Sequence, residues 1–223
     1  MLRVREVLAG LGEFGPESER VPWRRTLLLV VLAGVVHGAA MGSLGFRPRA
    51  MAYGAVKLPI LLLGATILCL PNLWVVCALL GLRAEFGPTV RGILCAQGSL
   101  AITAASLAPV VVFTSLAGAT YPFALFANAA VLALAAAAAQ RALRRHASSL
   151  VARAPRVRIA LVAWFVLHAF TSTKLGWILR PFVGDPALSP EFLRAGRWAD
   201  DPFTNLFWTA AGLVASIVRR LSG

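Results

Sequence analysis

Residues 50–82, AMAYGAVKLPILLLGATILCLPNLWVVCALLGL, form an apolar block with no acidic residue and one basic residue, Lys57. A helix needs about 20 apolar residues to cross a hydrocarbon core of about 30 Å. The block exceeds that length, so it predicts a membrane span long enough to tilt or kink. Pro59 and Pro71 lie inside it. Each removes a backbone donor and frees a carbonyl one turn earlier, which a membrane helix must satisfy by other means.

Four further blocks of the same kind flank it. The first runs from about Thr26 to Phe46, behind Trp23, Arg24 and Arg25. Its small residues at His37-Gly38-Ala39-Ala40 would also suit a signal-peptide cleavage site. The long lead with Glu6, Glu13, Glu17 and Glu19 favours an uncleaved span instead. A third span is expected over about Gly92–Leu116, with Pro109 inside it. The uncharged turn Ala119-Thr120-Tyr121-Pro122 leads into a fourth at about Phe123–Gln140, and a fifth follows at about Ile159–Leu179. The reading is therefore an all-α polytopic bundle of about five transmembrane helices over residues 26–179.

The two ends read differently. In the polar lead, residues 1–25, Val4, Val7, Leu8 and Leu11 recur at helical spacing, the pattern of an amphipathic helix at a membrane surface. Residues 180–223 read as an outer loop and a C-terminal interfacial helix. The apolar stretch Phe203–Val218 has 16 residues, about 24 Å of helix, which is short for a span. A sixth span is the alternative.

Composition agrees. Hydrophobic residues make up 59% and charged residues 14%, against roughly 45–50% and 25% in soluble domains. The net charge of +13 would suit nucleic acid, but the basic residues sit in short connections between apolar blocks. That placement sets topology and meets anionic headgroups, so the lipid bilayer is the expected partner and nucleic acid is not. Arg3, Arg5, Arg20, Arg24 and Arg25 precede the first span, and Arg83 and Arg91 lie between the second and third. Arg141, Arg144, Arg145, Arg153, Arg156 and Arg158 follow the fourth, where a loop is expected. An excess of arginine marks cytoplasmic loops, so the N-terminus is expected inside. The bias toward Arg and Ala suggests a bacterial chain in the cytoplasmic membrane.

Gly34, Gly38 and Gly42 lie four residues apart on one helical face. Such a face lets another backbone approach closely, either a neighbouring helix of the same chain or a second copy. His37, Lys57, Lys174 and Arg180 all fall near the outer ends of their segments under this topology. An ionisable group in a span seeks a partner, a cavity or the interface. Three arrangements are open: lysines snorkelling to headgroups, a shared cationic pocket for a phosphate- or carboxylate-bearing ligand such as an anionic lipid, or pairing with Asp185 or Glu191. His146, among arginines, reads as a solvated loop residue. His168, near mid-span, reads as packed or hydrogen-bonded, and Asn72, Gln97 and Asn128 as interhelical hydrogen-bonding groups.

All nine acids lie outside the five spans, which argues against a proton- or cation-coupled transporter needing an intramembrane carboxylate. Cys69, Cys77 and Cys95 have no metal-ligand spacing and read as small buried hydrophobes. No nucleotide, zinc or hydrolase motif occurs. No cofactor, metal or catalytic residue is expected, and the function reads as non-enzymatic.

The segments Gly38-Ala39-Ala40-Met41-Gly42-Ser43, Ala55-Val56-Lys57-Leu58-Pro59 and Cys69-Leu70-Pro71-Asn72-Leu73 also carry a family likeness. So do Ser106-Leu107-Ala108-Pro109-Val110, Tyr121-Pro122-Phe123 and Trp177-Ile178-Leu179-Arg180-Pro181-Phe182. Together they resemble an uncharacterised family of bacterial multi-spanning membrane proteins and, more loosely, Yip1-like five-helix proteins. The second resemblance implies a five-span scaffold with its N-terminus inside, acting in membrane organisation through protein partners. The long soluble N-terminal region typical of eukaryotic Yip1-like members does not precede the first span here.

Overall fold

Prolines mark where several helices begin. Their fixed φ suits the first turn, where the missing N–H has no intrahelical partner to lose. The computed structural model describes residues 23–183 and 189–193. Helix α1 spans Trp23–Met41 and α2 spans Pro48–Leu79. α3 covers Phe86–Ser106 and α4 covers Ala108–Leu116. α5 runs over Tyr121–Arg153 and α6 over Val157–Leu179. Pro48, Pro109 and Pro122 stand in the first turns of α2, α4 and α5. The expected amphipathic lead and the stretch Phe203–Leu221 lie outside the described residues.

Among the described residues, five segments are long and apolar enough to cross a membrane: Trp23–Met41, Pro48–Leu79, Arg83–Leu116, Tyr121–Arg153 and Val157–Leu179. The third is interrupted. Leu107 separates α3 from α4, its N–H shared between the Thr103 and Ala104 carbonyls. Pro109 lies just beyond, and a proline inside a helix removes a donor and crowds the carbonyl four residues earlier. Pro59 and Pro71 leave α2 continuous.

The fourth segment differs more from expectation. The arginine-rich stretch expected as a loop is helix through Arg153, and the connection to α6 is only Ala154–Arg156. Ala and Arg are both strong helix formers, so nothing stops the helix where hydropathy falls. Pro155 does. At 33 residues and 1.5 Å per residue, α5 is about 50 Å long and outreaches a bilayer core of about 30 Å. His146, expected to be solvated, is consequently buried on this extension. It packs where Gly92 of α3 leaves room, a Cβ on Gly92 lying 3.3 Å from the His146 Cβ.

α1 packs along α2 and α3, α3 along α5, and α2 along α6, whereas α5 and α6 touch little beyond their turn. At the end near that turn, Cys69, Leu73, Cys77, Ile93, Leu150, Val157 and Trp164 form one apolar core from α2, α3, α5 and α6. Beyond this core α1 meets α3, with Leu29 packed against Cys95 and Ile102. From there it occupies the space between α2 and α3.

Candidate functional site

The glycine face of α1 is covered by α2. A Cβ on Gly38 would lie 2.7 Å from the Gly54 carbonyl carbon, and one on Gly42 the same distance from that of Ala50. Gly34 faces Pro59 more loosely, where an added Cβ would lie 3.1 Å from the ring Cγ. The two helices run antiparallel in this register, which puts His37 and Lys57 in the same layer of the bundle. They serve different neighbours. His37 is fully buried, and its ring lies beside the Ala104 backbone of α3, short of a well-formed hydrogen bond.

Lys57 is also fully buried. Its Nζ donates to the Pro181 carbonyl at 2.8 Å. It lies 5.2 Å from the Phe192 ring centroid and 6.0 Å from that of Tyr53. Those two rings meet edge to face, centroids 5.3 Å apart. Tyr53 stands one turn before Lys57 on α2, so the helix itself places one aromatic face. The chain following α6 supplies the other face and the carbonyl. A charge-assisted hydrogen bond and aromatic faces are what a desolvated ammonium needs. The ammonium therefore turns into the protein and does not snorkel to headgroups, and among the described residues no carboxylate pairs with it.

Arg180 and Lys174 stand on the same side of the bundle as Lys57. The Arg180 guanidinium lies 3.8 Å over the Trp177 ring centroid, half-buried. Lys174 is half-buried beside Leu175, whose Cδ2 would lie 3.3 Å from a Cβ on Gly64. That level is seven residues along α2 from Lys57, or about 10 Å. Lys57 and the Arg180–Pro181 segment are thus joined directly, Lys174 stands deeper, and His37 faces another helix.

Other polar groups in the bundle also link helices. Gln97 of α3 meets His168 of α6, Nε2 to Nε2 at 3.1 Å, and His168 stacks on Trp164 at 5.2 Å. Cys69 of α2 donates to Thr171 of α6 at 3.3 Å, and Ser43 and Ser115 share a hydrogen bond of 2.9 Å. Asn128 is different from expectation. Its amide donates to the Ala124 carbonyl one turn back, within α5, because a short amide reaches its own helix before a neighbour. Asn72 is exposed. Among the described residues no three His, Cys, Asp or Glu side chains are grouped to hold a metal.

The fold defines a multi-pass α-helical membrane protein. No family model matches the chain, and no curated protein or solved structure matches it either.

Proposed function

We propose that the chain is a non-enzymatic scaffold or accessory subunit of a membrane complex. It would lie in a bacterial cytoplasmic membrane with its N-terminus inside. The observation that carries this reading is how the buried polar groups are used. Lys57, Gln97, His168, Cys69 and Ser43 each spend a hydrogen bond joining segments of this chain, as a framework requires. The basic ends of α5 and α6 support the orientation, since short cytoplasmic connections collect arginine. The resemblance to Yip1-like proteins points the same way, toward membrane organisation through a protein partner.

A second reading is a transporter or channel subunit for an anionic or lipid ligand. One observation favours it: the Lys57–Pro181 bond brings an ammonium to the residue beside the Arg180 guanidinium. Lys57 and Arg180 would then centre a cationic outer-leaflet site, with Lys174 deeper along the bundle and His37 turned to another helix.

Native mass spectrometry of the chain extracted in lipid nanodiscs separates the two, comparing wild type with Lys57→Gln/Lys174→Gln. A stoichiometric protein partner, with lipid content unchanged by the substitutions, is the result expected of a scaffold. Loss of a specific anionic lipid or metabolite in the double variant would overturn it in favour of the second reading.

A further inference from the structure

α5 and α6 converge at Ala154–Arg156 and leave a cleft of about 590 Å³ between them. One stripe of each helix lines it. Leu143 and Arg144 stand on α5, facing Arg158, Leu161, Val162 and Phe165 on α6. The lining is mostly apolar, yet both arginines are exposed and meet no partner among the described residues. The cleft begins where the apolar part of α5 gives way to Arg141, Arg144 and Arg145, which is the depth of a headgroup layer. Glu85 is the one described carboxylate at this end of the bundle, so the local field is strongly positive.

We propose that this cleft is a binding site for an anionic phospholipid. The phosphate engages the guanidinium groups of Arg144 and Arg158, and an acyl chain lies along Leu143, Leu161, Val162 and Phe165. Apolar walls alone would suit any membrane molecule. Two arginines at the edge of an apolar cleft select one that is acidic at one end and greasy at the other. Basic pockets between membrane helices take anionic headgroups for this reason. The site is separate from the Lys57 region and does not depend on the scaffold reading or on which leaflet this end faces.

The test is native mass spectrometry of the purified full chain titrated with phosphatidylglycerol or phosphatidylcholine. Wild type retains phosphatidylglycerol in preference. Arg144→Gln/Arg158→Gln weakens that retention about 30-fold, from roughly one headgroup-level contact per arginine. Arg153→Gln/Arg156→Gln, which removes the same charge outside the cleft, retains it. Val162→Trp fills the apolar wall with both arginines intact and also loses the lipid. Four results would overturn the proposal. They are undiminished retention in the Arg144/Arg158 variant, equal loss in the Arg153/Arg156 variant, no effect of Val162→Trp, or a second copy of the chain displaced by Val162→Trp in place of lipid.

Discussion

Gly38 of α1 and Gly54 of α2 meet backbone to backbone, each standing where a side chain on the other would fall. The contact fixes the register of the two helices, since a shift of one residue would bring His37 or Ala39 against the same carbonyl. It also occupies the glycine face within the chain, so association with another molecule must use a different surface.

Gly38→Ala is expected to destabilise strongly, because its Cβ meets backbone that cannot move aside. Overpacking of this kind costs about 1–3 kcal/mol, sometimes more. Gly34→Ala meets only the Pro59 ring at 3.1 Å and should cost less. Thermal unfolding in detergent ranks the two. Equal effects would mean the close α1–α2 approach is not what the glycines provide.

Gln97 and His168 should couple energetically. Interhelical hydrogen bonds in membranes are worth about 0.6–2 kcal/mol. A double-mutant cycle with Gln97→Leu and His168→Leu isolates the term. A coupling within that range is expected. Strict additivity would mean the two side chains do not hold each other.

The spans were legible because lipid demands long apolar runs, and residues 50–82 declare themselves by length alone. Helix ends were less so. Hydropathy drops at Arg141, but a helix stops for backbone reasons, and those arise only at Pro155. The burial of His146 followed from that extension and from the gap at Gly92, neither visible in local polarity. Lys57 was recognisable as an anomaly. Its acceptor was not, because a carbonyl 124 residues away carries no side-chain signature. The α5–α6 cleft was hidden for a further reason: its arginines were placed in a loop, and a loop has no face.

Membrane sidedness is measurable with a membrane-impermeant maleimide. In a background with Cys69, Cys77 and Cys95 replaced by alanine, Ala117→Cys and Ser148→Cys each present one exposed thiol. Ala117→Cys should label in intact cells, and Ser148→Cys only after the membrane is opened. The reverse pattern would invert the orientation. Labelling of both in intact cells would contradict a span over Tyr121–Arg153.

The measurement that bears most directly on the account is the thermal unfolding of Lys57→Met, a change that keeps the length of the side chain and removes its charge and donor. If Lys57 is a tie between α2 and the chain after α6, the variant loses about 1–3 kcal/mol, as expected when a hydrogen bond to a charged group is removed and its acceptor stays buried. Its bound lipid is unchanged. A variant as stable as wild type that has lost a bound anion would contradict the account and make Lys57 part of a ligand site.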